Sequence, residues 1–137
     1  MYVRGQGVQK DHKLAVKWYR KSAEQGNSPA QSNLGLKYRE GLGVPKDYEL
    51  AFKWFRESAE QGDASAQRNL GLMYKDNGHG VPKDYILAYM WFNLSATNGK
   101  QISKVNRNEI EDLMSPQQII SAQRLTRECV RKKYKGC

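Results

Sequence analysis

Apolar side chains recur along the chain at the spacing of an α-helix rather than at the spacing of a strand. Ala30, Leu34 and Tyr38 follow one another at intervals of four residues, which places them on one face of a helix. Leu50 and Trp54 begin a second stretch, in which apolar residues occupy neighbouring positions and form a wider band. We therefore expect two kinds of helix, a helix A with a narrow apolar face and a helix B with a broad one.

The two helices belong to a sequence repeat. Residues 2–37, placed over residues 38–73 without a gap, match at 22 of 36 positions, which is far too many for chance and sets the period. Trp18, Trp54 and Trp91 follow this period, with one inserted residue before the third. Because a single helix pair cannot bury its own apolar face, we expect the pairs to stack into an all-α solenoid with the tryptophans in its core.

Short polar residues mark where the helices begin. Asn27 and Asp63 precede the two copies of helix A, and Asp11, Asp47 and Asp84 precede the three copies of helix B. These residue types are preferred N-caps because their side chains accept hydrogen bonds from the first free backbone N–H groups. A Gly-x-Gly-Val segment separates helix A from helix B in each unit, and we expect it to form a tight loop.

The recurring motifs resemble those of the Sel-like repeat (SLR) family, which is related to the tetratricopeptide repeat. The motifs are Ala-Gln-x-Asn-Leu-Gly-Leu-x-Tyr, Gly-x-Gly-Val-x-Lys-Asp and a segment from Leu-Ala-x-Lys-Trp to Ser-Ala-Glu-Gln-Gly, at residues 30–38 and 66–74, 41–47 and 50–62. The resemblance covers residues 2–99. It implies a right-handed α-α superhelix of helix-turn-helix repeats and a non-catalytic adaptor that binds other proteins.

We divide the repeat region into a half-repeat at residues 1–26 and repeats at 27–62 and 63–99. Residues 1 and 2 align with residues 73 and 74, so the chain begins near the end of a helix A whose earlier turns are absent. The first helix B then lacks its usual cover, which invites association. The chain is either a fragment of a longer repeat protein or one that completes its stack with another copy.

Residues 100–137 depart from the repeat, since the Leu-Gly-x-x-Tyr motif does not return after Gly99. We expect a helix from about Ser103 to Leu113. A second helix follows Ser115, because Pro at the first helical position and Gln118 at the third complete a capping box. This pair is expected to cap the apolar end of the solenoid.

Candidate partner-binding residues lie on helix A. In each repeat one strip carries three residues: an Asn, then a Lys or Met, then an acidic residue. They are Asn33, Lys37 and Glu40 in the first full repeat and Asn69, Met73 and Asp76 in the second. Each Asn amide offers a donor and an acceptor, so two of them on successive repeats could hold an extended peptide. Two alternatives stay open: both Asn residues serve packing, or the partner meets a second strip, made of Ser32, Arg39, Arg68 and Lys75.

The formal charge of +9, from 23 Lys and Arg against 14 Asp and Glu, raises the alternative of a nucleic acid or another anionic surface. The net charge is +4 for residues 1–50, +1 for 51–100 and +4 for 101–137, so it is spread along the chain. Only residues 131–135 form a dense basic run, and the aromatic residues have core spacing. The sequence therefore favours a protein or peptide partner, and a steep salt dependence of binding would favour nucleic acid.

No catalytic motif is present. Ser-x-x-Lys, Gly-x-Ser-x-Gly, His-Glu-x-x-His and a Walker loop are all absent, although some members of the family have been associated with β-lactam or cell-wall substrates. The Gly-x-Gly segments follow helices rather than strands, which argues against dinucleotide binding. His12 and His79 are expected to be surface residues rather than metal ligands. We expect no enzyme activity, no cofactor and no metal.

Cys129 and Cys137 are the only cysteines. A continuous helix would hold them ~12 Å apart, so a disulfide requires a turn, which we expect at residues 135–136. Similar tails in exported bacterial SLR proteins imply the disulfide, and with it a periplasmic or secreted location. The alternative is a buried Cys129 thiol, a frayed Cys137 and a cytoplasmic protein. The first five residues lack the apolar core of a secretory signal, and no apolar run approaches the ~20 residues of a membrane helix.

Overall fold

A computed structural model describes residues 4–76 and 79–137, and these residues form seven α-helices with no strand among them. The helices are α1 (Arg4–Glu24), α2 (Ser28–Glu40), α3 (Tyr48–Ala59), α4 (Ala64–Lys75), α5 (Tyr85–Thr97), α6 (Ile102–Glu111) and α7 (Pro116–Arg131). Helices α2 and α4 are the two copies of helix A, and α1, α3 and α5 are helices B. Each helix packs on the next along the chain from α1 to α6, which confirms the all-α solenoid.

The predicted caps begin four of the helices. The side-chain oxygens of Asn27, Asp47, Asp63 and Asp84 each accept a hydrogen bond from the backbone N–H three residues further on, at 2.8–3.0 Å. These bonds satisfy N–H groups that have no partner inside the helix. The boundaries of α2 to α5 therefore follow from local chemistry.

Helix α1 differs from the prediction. It runs without a break from Arg4 to Glu24, so the first Gly-x-Gly segment and Asp11 lie inside the helix instead of forming a loop and an N-cap. In the second unit, the Asp47 N–H donates to the Tyr38 carbonyl and ties the loop to helix A. The residue equivalent to Tyr38 in the first unit is Tyr2, which lies outside the described residues. A continuous helix satisfies the backbone groups of this segment internally.

Helix A presents a glycine to an aromatic ring of the following helix B. A Cβ atom added at Gly35 would lie 2.6 Å from Cε1 of Phe55, and one added at Gly71 would lie 2.6 Å from Phe92. Both rings are fully buried. The missing side chain therefore lets the two helices of each unit approach closely.

A buried glutamine joins each helix A to the helices B on both sides. Nε2 of Gln67 donates to the Ala59 carbonyl at 3.2 Å, and Oε1 accepts from Nδ2 of Asn98 at 3.0 Å. Gln31 makes the equivalent two bonds one unit earlier. Because a buried amide without partners is costly, these bonds fix how successive units stack. In the sequence, these bonds are indicated by a glutamine that directly follows a core alanine in both repeats, at Gln31 and Gln67.

The three repeated tryptophans have different environments. Trp91 is fully buried, Trp54 is half-buried and Trp18 is 58% exposed. The core position is therefore confirmed for Trp91, and the exposure of Trp18 agrees with the expectation that the first helix B lacks its usual cover, since no described residue covers this side of α1.

Helix α7 packs against the outer side of α5. On this side α5 carries Met90 and Leu94, both buried, where α3 has the exposed Lys53 and Glu57. The sequence therefore already indicates that another helix covers this side of α5, since α5 is apolar on all sides. The predicted capping box at the start of α7, between Ser115 and Gln118, is present.

Helix α6 occupies the place of a third helix A. Asn108 lies nine residues after Gly99, the interval that separates Gly35 from Gly26. The side chain of Asn108 is exposed, so the position that receives an aromatic ring in the repeats carries a polar group here.

The C-terminal tail is folded back by a disulfide between Cys129 and Cys137, whose Cα atoms are 5.6 Å apart. The turn begins at Lys133 and Tyr134, which have φ angles of 53° and 69°, and thus earlier than predicted. The Tyr134 hydroxyl donates to Oδ1 of Asn98 at 3.3 Å. The tail therefore contacts the end of α5 as well as α7.

Candidate peptide-binding surface

Helices α2, α4 and α6 share a stripe of outward positions, spaced at i, i+3, i+7 and i+11 along each helix. We call these positions the outer stripe: Pro29, Ser32, Leu36 and Glu40 at α2, Ser65, Arg68, Leu72 and Asp76 at α4, and Ile102, Val105, Glu109 and Leu113 at α6. All of them except Ser32 are at least partly exposed. The stripe is therefore a surface that crosses all three helices.

The outer stripe becomes more apolar towards α6. Ile102, Val105 and Leu113 expose 49%, 51% and 63% of their surface. The equivalent positions in α4 hold Ser65, Arg68 and Asp76. Ile102 and Val105, one turn apart on α6, therefore form an exposed apolar pair.

The six predicted residues of the first strip occupy three different places. Glu40 and Asp76 lie on the outer stripe, Asn33 and Asn69 lie beside it, and Lys37 and Met73 face the preceding helix B. Met73 is fully buried, and Nζ of Lys37 lies 2.9 Å from Nδ1 of His12 on α1. The prediction that Met73 offers surface to a partner is therefore corrected, since its side chain fills the core.

The two predicted asparagines have different partners. Oδ1 of Asn69 accepts from Arg39 at 2.8 Å, and the residue is 7% exposed. Asn106 of α6, at the same position of the repeat, accepts from Arg68 at 2.9 Å. The half-buried Asn33 makes no side-chain hydrogen bond to any residue described. Packing between helices A therefore accounts for Asn69, whereas the described residues contain no equivalent partner for Asn33.

The second strip serves mainly to join helices A. Ser32 is 4% exposed, and Arg39 bonds to Asn69 while its guanidinium carbon lies 5.9 Å from the ring centroid of Phe55. Arg68 extends from α4 to α6 and also lies on the outer stripe. Sequence reasoning missed Asn106, although it follows its glycine by seven residues, as Asn33 and Asn69 do.

Two tyrosines at contacts between a helix B and the following helix A have hydroxyl groups with raised pKa values. Burial raises the pKa of Tyr74, partly offset by the nearby Arg56 guanidinium. Burial also raises the pKa of Tyr89, whose hydroxyl donates to Oε1 of Glu111 at 3.0 Å. Both groups lie in contacts between helices and so contribute to stability.

The described part of the chain offers little for other chemistry. It holds no cluster of three His, Cys, Asp or Glu side chains that could bind a metal. Both histidines are half-buried: His12 contacts Lys37, and the His79 ring stacks on Tyr48 with centroids 4.9 Å apart. None of the helices described is long and apolar enough to cross a lipid bilayer.

Comparison with solved structures gives close matches to this fold. The crystal structure of c5321, a protective antigen present in uropathogenic Escherichia coli strains displaying an SLR fold, matches with a TM-score of 0.85 and 37% identity. A Sel1 repeat protein from Oxalobacter formigenes matches with a TM-score of 0.72 and 37% identity. The matches cover 92% and 88% of this chain, but only 28% and 52% of those proteins. None of the curated proteins matches the chain.

The repeat itself matches a family model. The Sel1 repeat model matches residues 1–27, 28–63 and 64–100, which is more than half of the chain. The second and third matches coincide with the helix pairs α2–α3 and α4–α5. Proteins of this family are generally scaffolds for interactions between proteins, and their fold is typically non-catalytic. The chain belongs to the Sel1 repeat family.

Proposed function

We propose that this chain is a scaffold that binds an extended peptide of another protein across the outer stripe. The observation that carries the proposal is the pair Ile102 and Val105, both about half exposed on α6 and one turn apart on the same face. Apolar side chains of a peptide would remove this surface from water, at roughly 25 cal/mol per Å². The curved surface of a solenoid is its usual binding surface.

The charges on the outer stripe favour a basic peptide. Three carboxylates, of Glu40, Asp76 and Glu109, lie on the stripe against one guanidinium, of Arg68. Arg68 is held by Asn106 and Glu40 already pairs with Arg39 at 2.9 Å, so Asp76 and Glu109 carry most of the acidic character. Like charges brought together in an interface are unfavourable, whereas a Lys or Arg side chain would meet these carboxylates. Nucleic acid is disfavoured at this surface for the same reason, despite the net positive charge of the chain.

Asn33 adds a specific polar contact at the α2 end of the stripe. Its amide can donate to a peptide carbonyl and accept from a peptide N–H. We therefore expect a peptide that places backbone at Asn33, cations near the carboxylates and apolar side chains at α6.

A random-peptide display library selected on the full chain tests the proposal, with the binding site mapped by amide chemical shifts. We expect enriched peptides to combine apolar and basic residues and to shift amides of α2, α4 and α6. Shifts concentrated on α1 or α7, or a failure to enrich any peptide, would overturn the proposal. A duplex DNA that bound more tightly than the peptides, with affinity falling steeply with salt, would favour the nucleic-acid alternative.

We infer a periplasmic or secreted location from the bonded Cys129 and Cys137, because disulfides persist in oxidising compartments. Labelling of free thiols in protein taken directly from its source cells tests the inference. Protein that takes up no label supports export, and two labelled cysteines would indicate the cytoplasm instead.

A further inference from the structure

A cavity of about 290 Å³ lies between α1 and the loop that joins α2 to α3. Val16 of α1 and Val44 of the loop give it an apolar part. The rest of its α1 side consists of four cationic side chains and one carboxylate, namely Lys13, Lys17, Arg20, Lys21 and Glu24. The cavity is therefore strongly cationic.

The cavity lies on the side of α1 that faces away from any preceding helix. In the second unit the preceding helix A packs on Phe55, whose equivalent in α1 is Tyr19. Lys17 is two residues from Tyr19 and so points to nearly the opposite side of the helix. Its equivalent Lys53 is exposed although α3 packs on both α2 and α4. A helix packed ahead of α1 would therefore leave this cavity open.

Contacts within the fold fix two sides of the cavity. Gly43 of the loop has a φ angle of 81°, and a Cβ atom added there would lie 2.5 Å from the His12 carbonyl carbon and 2.8 Å from the Lys13 nitrogen. The loop thus lies directly against the α1 backbone. Nη2 of Arg20 donates to the Tyr38 hydroxyl of α2 at 2.6 Å, and Tyr38 is only 8% exposed. A buried partner therefore holds the guanidinium at the cavity.

The cations around the cavity are not neutralised by the described part of the chain. None of the four forms an ion pair with a carboxylate of a described residue. The equivalent side of α3 differs, because Glu49 and Glu57 stand where α1 has Lys13 and Lys21, and Arg56 pairs with a carboxylate at 3.4 Å. The cationic cluster is therefore particular to the first unit and is not a property of the repeat.

A phosphate group matches this cavity better than a carboxylate does. A phosphate monoester carries a charge of about −1.5 to −2 at neutral pH and has three acceptor oxygens, whereas a carboxylate carries one charge. Ammonium groups donate to phosphate oxygens as point charges, and a guanidinium can hold two oxygens at once. Four cations beside one carboxylate leave more positive charge than a single carboxylate ligand would balance.

We propose that the cavity between α1 and the α2–α3 loop binds a ligand that carries a phosphate monoester or a diphosphate group. Its phosphate oxygens accept hydrogen bonds from Lys13, Lys17 and Arg20, and the adjoining part of the ligand lies against Val44. A soluble phosphorylated molecule and a lipid headgroup present this same chemistry. None of the lining residues belongs to the outer stripe, so the site is separate from the peptide-binding surface.

Calorimetric titration of the full chain with inorganic pyrophosphate tests the site. We expect saturable binding, which Lys13→Ala/Lys17→Ala should weaken by about tenfold or more because two charge-assisted hydrogen bonds are lost. The unfolding midpoint should not change, since both side chains are exposed. The matched control Lys104→Ala/Lys132→Ala, which removes two exposed lysines from α6 and from the end of α7, should keep the wild-type affinity.

Glu24→Gln gives a test in the opposite direction. It removes the carboxylate that lines the cavity, so we expect pyrophosphate to bind more tightly than to the wild type. In the wild type, pyrophosphate should also shift the amide resonances of Gly43 and Val44. A change that merely disturbed the fold would not strengthen binding.

Vesicles distinguish the two sources of the phosphate. Phosphatidylcholine vesicles are compared with and without phosphatidic acid, whose headgroup is a phosphate monoester. Sedimentation of the chain with the phosphatidic acid vesicles, lost in Lys13→Ala/Lys17→Ala, supports a lipid headgroup, and pyrophosphate binding without vesicle binding supports a soluble ligand. The proposal is overturned by the absence of saturable pyrophosphate binding, by an equal loss in the control variant, or by tighter binding of citrate than of pyrophosphate.

Discussion

The ring of Phe55 lies so close to the backbone of Gly35 that a single added carbon would come within 2.6 Å of it. Phe92 and Gly71 repeat the arrangement one unit later. The contact between the helices of each unit thus depends on a glycine in the middle of helix A, although glycine is about 1 kcal/mol less favourable than alanine there.

Gly35→Ala should therefore destabilise the protein despite its better helix propensity. Overpacking a core costs about 1–3 kcal/mol, and the Phe55 ring is fully buried, so we expect a net loss of about 1 kcal/mol in the free energy of unfolding. Urea denaturation measures it. Asn108→Ala, at the equivalent exposed position of α6, is the control and should change stability by less than about 0.5 kcal/mol. A more stable Gly35→Ala variant would show that the ring has room to move.

Gln67→Met should lower stability, because methionine keeps the shape of glutamine and loses its hydrogen bonds. The Ala59 carbonyl would keep only its bond from the Gly62 N–H, and we expect a loss of about 0.5–1.5 kcal/mol, the net value of a typical hydrogen bond. Gln117→Met, on the exposed first turn of α7, serves as the control. Equal unfolding midpoints in urea for the two variants would mean that the glutamine bonds contribute nothing to stacking.

Reduction of the disulfide should destabilise the protein by about 2.6 kcal/mol, the chain-entropy value for so short a loop. The measurement is urea unfolding with and without a reductant. Cys137→Ser should show the lower stability under both conditions, because it removes the bond and leaves Cys129 in place. An unfolding midpoint that does not respond to the reductant would contradict this expectation.

Stability should also fall at high pH through Tyr74. Burial raises the pKa of this hydroxyl above its usual value near 10, so the folded state binds the proton more tightly than the unfolded state. The resulting stabilisation is present below about pH 10 and is lost as the pH rises through the folded pKa. In unfolding titrations from about pH 8 to about pH 11, the wild type should lose stability more steeply than Tyr74→Phe. Parallel curves would contradict this.

The features that sequence analysis predicted are those set by local chemistry. Asn27 and Asp47 cap their helices because only the next three residues matter to an N-cap. The stacking of the helix pairs was predicted from the repeat, because a single pair cannot bury its own apolar face.

The features that it missed depend on which helix lies opposite a given residue. Met73 was assigned to the surface because its equivalent Lys37 is polar, yet the position faces the preceding helix B. Only the packing of neighbouring helices distinguishes Met73 from Lys37, because the two residues occupy equivalent positions of the repeat.

The most direct test of the scaffold function measures affinity and stability together in Ile102→Ser/Val105→Ser, using a peptide selected on the wild-type chain. Ile120→Ser is the control, because Ile120 is also exposed, at 63%, but lies on α7. We expect the double variant to bind at least tenfold more weakly with an unchanged unfolding midpoint, and the control to bind like the wild type. Wild-type affinity in the double variant would contradict the assignment of the outer stripe as the binding surface.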